Sequence, residues 1–236
     1  MSDIYLIRHG QASFGSENYD KLSEKGIFQA KILGRHLANM EIKFDAIYSG
    51  EMERQKKTAD GIVTEYRRKN LFVPEPVADA SWNEYDSTAI WESQTAMMLK
   101  DDPTLFDGFD ANHIDEKAFQ AIFSNAMERW ISGKYDAPGA VSWNAFKNRV
   151  TGGLNRLMKT WGSSKKIAVF SSAGAISVAT QMALDLSDAK TIDLSWQLIN
   201  ASVTRLKYND GKMILSGFND IGPLESMGDK TLLSYR

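Results

Sequence analysis

The sequence predicts a three-layer α/β/α sandwich whose sheet is mostly parallel, with an antiparallel strand at one edge. Three observations carry that expectation. Short apolar runs rich in branched residues alternate along the chain with longer stretches of helical periodicity. The first run, Ile4-Tyr5-Leu6-Ile7, is continuously apolar rather than alternating, as expected of a strand buried on both faces. Near the other end, Ala201 to Tyr208 and Met213 to Phe218 flank Asn209-Asp210-Gly211, the strongest hairpin signal in the chain.

The elements follow in order. Ile4 to Ile7 stops at Arg8-His9-Gly10, and a polar loop leads to Ser23. From there Gly26, Gln29 and Ala30, with apolar Ile27, Ile32, Leu33 and Leu37, read as a helix. Phe44 to Ser49 is the second strand, and Glu51 to about Lys69 the helix after it. Val73 to Ala78 is a third strand; Pro74 and Pro76 cannot donate to a ladder, which assigns it to an edge or an irregular path. The weakest pattern runs from about Trp91 to Asp136. It holds an acidic loop (Asp101, Asp102, Asp107, Asp110, Asp115) followed by an amphipathic stretch from Phe119 to Trp130. Trp143 to Trp161 reads as a helix and Lys166 to Phe170 as a central strand, which passes through Ser171-Ser172-Ala173-Gly174 into an alanine-rich helix.

Composition excludes several classes of function. A chain of 236 residues suits one domain, or a domain with a cap. Its formal charge is −2 and no Lys/Arg stripe is present, which argues against nucleic acid as a partner while leaving room for a small anion. With no cysteine, disulfides, thiolate catalysis and zinc–thiolate sites drop out. The three histidines and scattered acids show no metal-ligand spacing, and the acidic loop lacks the order of a calcium loop, so no metal and no cofactor is expected. The start has no basic leader and no run is apolar enough to span a bilayer; the expectation is a cytoplasmic protein without a membrane partner. Oligomeric state stays open, a homodimer being the assembly weighed.

Ligands of open α/β sheets collect outside the carboxyl ends of strands. Three such ends carry suggestive residues: Arg8-His9-Gly10, the stretch leading to Arg54, and Ser171-Ser172-Ala173-Gly174. Two guanidiniums suit a phosphoryl group, whose charge is spread over three oxygens, and a neutral imidazole is a competent nucleophile near pH 7. Gly10 lets the backbone turn and approach a ligand. For each residue a plainer reading stands beside this one: His9 as a structural histidine, Arg54 as a solvated helix residue, Ser172 as a small residue in a tight turn.

The order of these segments resembles the histidine phosphatase superfamily, which includes the cofactor-dependent phosphoglycerate mutases. The resemblance is carried by Leu6-Ile7-Arg8-His9-Gly10-Gln11, by Tyr19 to Gly26 with Gln29 and Ala30, by Ile47-Tyr48-Ser49 ahead of Arg54 and Thr58-Ala59, and by Trp82-Asn83-Glu84. It implies that His9 accepts the phosphoryl group and that Arg8 and Arg54 hold it. Glu84 would protonate the leaving oxygen and later activate water; Asp86 is the alternative acid. Gly10, Gln11, Ser13, Ser172 and Ala173 would surround the phosphate, with no metal required. The segment at about 91–136 lies where the family places a variable cap on an otherwise single domain of residues 1–236.

The sequence departs from the family where a second histidine is expected in a Ser-His-Gly-Gly-like turn: Ser172 stands at that position. A hydroxyl replaces the donor but not a charge. Ala12 and Gly15 replace the usual Thr and Asn of the phosphate loop, with Ser13 offering a hydroxyl nearby, and Gly222-Pro223-Leu224 replaces a Pro-His-Leu-like element. His113 in the acidic loop is a candidate substitute for the second histidine. The expected function is a phosphohydrolase acting on a small phosphomonoester. The alternatives are a protein that binds phosphate or a phosphorylated ligand with little turnover, and a phosphotransferase of the mutase type, which the missing Gly-Trp-containing segment disfavours.

Overall fold

A computed structural model of the chain describes residues 1–13, 19–106, 116–137, 139–209 and 212–235. Gly15, Asp107, Asp110, His113, Asp115 and the turn residues Asp210 and Gly211 lie outside the described residues.

Six strands form one mixed sheet: β1 (Ser2–Arg8), β2 (Ala46–Ser49), β3 (Pro76–Ala78), β4 (Lys166–Ser171), β5 (Val203–Asn209) and β6 (Lys212–Asp220). Their spatial order is β3-β2-β4-β1-β5-β6. The pairs β3–β2, β2–β4 and β4–β1 are parallel, while β5 runs antiparallel to both β1 and β6. The fold is thus α/β with a mostly parallel sheet and an antiparallel edge. β1 and β4 sit in its middle, which explains their unbroken apolar runs. β3 is an edge strand, as its prolines require, but it begins only at Pro76, three residues later than the sequence pattern suggests.

The described helices include α1 (Glu24–Asn39), α2 (Glu53–Arg68), α3 (Ser87–Asp101), α4 (Glu116–Ser132), α5 (Trp143–Trp161), α6 (Ala173–Leu184), α7 (Asp188–Ser195) and the single turn α8 (Gly222–Glu225). Ser23 caps α1 by accepting the Gly26 N–H at 3.1 Å, an arrangement worth about 1 kcal/mol over alanine. Leu33 and Leu37 of α1 and Ala59, Ile62 and Val63 of α2 pack with Tyr5, Ile7, Ile47, Ala168 and Phe170 in one core on one face of the sheet. Strand residues of the opposite parity, Ile4, Leu6, Ile167 and Val169, are also fully buried, and α6 contacts β1, β5 and β6. Both sheet faces are therefore covered.

One expectation needs correction, and two helices lie outside the sequence pattern. Ile27 is 58% exposed, because the buried stripe of α1 runs through Ala30, Leu33 and Leu37 and leaves Ile27 to solvent. Helix α3 ends at Asp101, where the acidic loop begins, in a stretch to which the sequence pattern assigns no element; its apolar residues are spread around the axis instead of forming a stripe, and its buried residues are Ile90, Gln94 and Met98. Helix α7 escapes the pattern for a similar reason, since Thr191, Ile192 and Ser195 form its buried face.

The chain divides into two compact units, 1–84 with 150–236, and 85–149. The second is interrupting in sequence and helical. Its core stacks Trp130 edge-on against Trp143 at 5.1 Å and Tyr85 against Phe146 at 5.4 Å, and the Trp130 indole N–H donates to the Val141 carbonyl at 2.8 Å. Arg129 pairs with Asp101 at 2.6 Å within the same unit. Among the described residues, no helix is long and apolar enough to cross a membrane.

Candidate active site

The candidate site grows from the carboxyl ends of β1 and β4. Beyond Arg8 the chain continues into His9, whose N–H donates to the Ser171 carbonyl at 2.9 Å. The His9 carbonyl in turn accepts from the Asn200 side chain and the Ala201 N–H, both at 3.2 Å. Pinned on both sides, the residue is 4% exposed.

The tautomer of His9 follows from its neighbours. Nδ1 lies 2.7 Å from the Gly10 carbonyl, which can only accept, so Nδ1 carries the proton. In a neutral ring Nε2 then presents a lone pair, and Arg54 Nε–H donates to it at 3.1 Å. Burial holds the His9 pKa well below its ordinary value; the Arg54 and Arg8 charges push the same way, and the Gly10 bond opposes them. Near pH 7 the imidazole is therefore neutral, and its Nε2 lone pair faces a guanidinium.

Arg54 comes from the first turn of α2 and is 6% exposed. Its Nη1 donates to Asp20 Oδ1 at 2.7 Å, while Asp20 Oδ2 accepts the Glu53 N–H at 2.7 Å. The Tyr19 ring lies 5.5 Å from the Arg54 guanidinium carbon. A carboxylate at this helix N-terminus is favoured by the macrodipole and at the same time fixes the arginine. One turn on, Thr58 donates to the Arg54 carbonyl at 2.7 Å and accepts the Gly10 N–H at 3.0 Å, tying α2 to the loop after β1. Arg8 is buried, and its guanidinium donates to the Leu198 carbonyl and, at 2.6 Å, to the Tyr235 carbonyl.

Glu84 and Ser172 meet at the start of α6. Ser172 occupies the N-cap position, Ala173 is the first helical residue, and the Gly174 N–H donates to Glu84 Oε2 at 2.9 Å. Ser172 Oγ accepts from Gln55 Nε2 at 2.8 Å. Asp86, the alternative acid, instead caps α3 by accepting the Ala89 N–H at 3.0 Å. His36 is exposed on α1. Among the described residues no group of three or more acids and histidines could hold a metal ion.

The loop residues read as phosphate contacts are used in part for building the loop. Gly10 gives its N–H to Thr58. Gln11 gives its N–H to Gln29 at 2.8 Å and accepts the Ser23 hydroxyl at 2.9 Å, so these groups reach α1. The Ser13 N–H donates to the Lys21 carbonyl at 2.8 Å. The structure therefore joins His9 directly to Arg54, while the Arg8 guanidinium bonds the Leu198 and Tyr235 carbonyls and reaches His9 through its charge, and it separately joins Glu84, Ser172 and Ala173 at one helix start. Sequence reading missed the structural parts played by Asp20, Gln55, Thr58 and Asn200. Asp20 had a signal, since it lies in the Tyr19–Gly26 motif; Asn200, 191 positions from His9, had none.

Fold and site define an α/β protein that sets a buried histidine against an arginine at the carboxyl end of its central strand, with a second buried arginine preceding the histidine in sequence. The chain belongs to the histidine phosphatase superfamily (branch 1), whose model matches residues 4–120 and 106–221. It is 23% identical over 234 residues to a metal-independent phosphoserine phosphatase of Arabidopsis thaliana, covering 97% of this chain and 85% of that one. It is 32% identical over 87 residues to a 2,3-bisphosphoglycerate-dependent phosphoglycerate mutase of Bartonella tribocorum, covering 34% of this chain and 41% of the mutase, so the match spans less than half the mutase's length. Among solved structures it is similar to a phosphoserine phosphatase mutant of Entamoeba histolytica in complex with phosphoserine, at 20% identity and a TM-score of 0.65, covering 95% of this chain and all of that one.

Proposed function

We propose that this chain hydrolyses a small phosphomonoester through a phosphoryl group carried on His9 Nε2, without a metal ion. The observation that carries the proposal is the neutral His9 ring, with Nδ1–H tied to Gly10 and the Nε2 lone pair turned to Arg54. In the first step that lone pair forms an N–P bond as the ester P–O bond breaks. The Arg54 N–H, which donates to His9 Nε2, takes a phosphoryl oxygen as its acceptor instead and keeps its proton, and with Arg8 it balances the spread negative charge, the task a metal performs elsewhere. Glu84, whose Oε2 accepts the Gly174 N–H, delivers a proton to the departing oxygen. In the second step water attacks phosphorus and gives its proton to Glu84, the N–P bond breaks, and orthophosphate leaves.

The near full-length sequence likeness to a protein named a phosphoserine phosphatase supports hydrolysis over intramolecular transfer, because the sequence match to the mutase covers only part of either chain. One observation favours a second reading, binding of a phosphorylated ligand with little turnover: Ser172 offers a neutral hydroxyl where a second imidazole is expected. Mass spectrometry of protein quenched in alkali during turnover of an aryl phosphate separates the readings. The hydrolase shows phosphate on His9 and releases orthophosphate, and His9→Ala loses both. Saturable orthovanadate binding without turnover across a panel of esters, phosphoserine included, would establish the second reading instead.

A further inference from the structure

We infer that Gln55 is a positioning residue that makes the Ser172 hydroxyl a one-way hydrogen-bond donor toward the phosphoryl group. This rests on the phosphate site proposed above and says how it works with a serine after β4.

Gln55 is fully buried in the first turn of α2, next to Arg54 in sequence. Its side chain has two different ends, and the surroundings decide which end points where. Nε2 lies 3.1 Å from the Trp82 carbonyl oxygen, and Oε1 lies 3.4 Å from the Met52 N–H. A carbonyl cannot donate and an N–H cannot accept, so the amide orientation is fixed from both ends. Flipping it would set two carbonyl oxygens against each other in a buried site.

With that orientation fixed, the second Nε2 proton faces Ser172 Oγ at 2.8 Å. The hydroxyl must accept there, and its own proton is directed elsewhere. Among the described residues that proton has no acceptor, although Ser172 is 1% exposed and its Oγ caps no N–H of α6. The preceding Ser171 shows the contrast, since its hydroxyl donates to the Trp82 carbonyl at 2.6 Å. A buried hydroxyl whose proton lacks a partner is costly unless something else accepts it. Ser172 directly follows the residue whose carbonyl receives the His9 N–H, which places it beside the proposed nucleophile at the same sheet end. A phosphoryl oxygen at that end supplies the acceptor. Gln55 thus acts through Ser172, and Ser172 on the anion.

The test is a double-mutant cycle in the full-length chain. Gln55→Glu keeps the side-chain shape but puts an acceptor opposite Ser172, which reverses the hydroxyl, and also opposite the Trp82 carbonyl; Gln55→Met removes the donor without reversal. Readouts are kcat and KM on an aryl phosphate and the affinity for orthovanadate, with thermal melts alongside. The expected result is that Gln55→Glu lowers kcat and vanadate affinity about ten- to a hundredfold, the worth of one hydrogen bond to a charged group, and matches Ser172→Ala. In the Ser172→Ala background Gln55→Met then changes either readout by less than about twofold, because the hydroxyl it controls is gone, and Gln55→Glu loses clearly less than in the parent. Equal losses in both backgrounds would show that Gln55 only supports the fold, and full activity of Gln55→Glu would show that the hydroxyl needs no orientation. Either overturns the inference. Should the chain bind vanadate without turnover, the hydrolase reading fails while the affinity cycle still decides the role of Gln55.

Discussion

Replacing Gly10 by alanine probes the most crowded backbone contact in the candidate site. A Cβ on Gly10 would lie 2.3 Å from the Gly26 carbonyl oxygen, 2.8 Å from its carbon and 2.9 Å from its Cα. The contact is reciprocal, since a Cβ on Gly26 would lie 2.1 Å from the Gln11 carbonyl oxygen. All these atoms are main chain, so no side chain can swing away. A carbon tolerates a carbonyl oxygen at about 3.3 Å, so the loop after β1 must separate from α1 by roughly 1 Å. The Ser23 N–H bond to the Gln11 carbonyl at 2.9 Å resists that opening. Overpacking of this kind costs about 1–3 kcal/mol, which lowers the melting temperature by roughly 2–12 °C in a protein of this size. Because Gly10 also holds His9 Nδ1, the imidazole moves with the loop, and a displacement of about 1 Å typically costs about a hundredfold in rate. Thermal melts and kcat/KM on an aryl phosphate measure both effects. Gly10→Ala combined with Gly26→Ala should lose less than the two separate losses together, because both substitutions open one contact. An alanine variant that melts and turns over like the parent would refute the close-approach reasoning outright.

Two further outcomes follow from the site. Asp20→Asn weakens the hold on Arg54 and the N-terminus of α2; with the Asp20 side chain 37% exposed, the stability loss is held to roughly 1 kcal/mol. The same variant should lower kcat/KM about tenfold, a drop of the same energy scale, and should add nothing to Arg54→Ala; tighter orthophosphate binding by Asp20→Asn would instead mark the carboxylate as a competitor. For His9 the sign comes from its depressed pKa: the unfolded chain takes up a proton near pH 6.5 and the folded chain only at lower pH, so acid favours unfolding. The stability advantage of the parent over His9→Asn should be level above about pH 7 and shrink below about pH 6.5, by at most about 1.4 kcal/mol per pH unit. Urea melts from pH 5 to 8 check it, and an advantage that grows toward acid would contradict a buried neutral imidazole.

Elements whose burial is one-sided or complete were readable from residue pattern. Ile4 to Ile7 and Lys166 to Phe170 are apolar at every position because both sheet faces are covered, and β1 and β4 are indeed the central pair. Pro74 and Pro76 announced an edge because a proline cannot serve two neighbours. Helix α3 stayed hidden because it buries little and shows no stripe, so nothing in its spacing separates it from a loop. Exposure of Ile27 was likewise invisible, since periodicity gives a face but not the rotation of the helix on the sheet.

The order of residues by itself determined the layered α/β class, the strand that delivers Arg8 and His9, and the chemical types grouped at three strand ends. Those follow from local causes: side-chain period, backbone propensity and turn chemistry act over a few neighbouring residues. Only the tertiary structure decided that the Arg54 N–H meets the His9 Nε2 lone pair, that Asp20 holds that arginine, and that Gln55 and Trp82 orient Ser172. These bonds join groups 27 to 117 positions apart, where pairing depends on sheet order and helix docking, and where direction rests on which buried neighbour can donate and which can only accept.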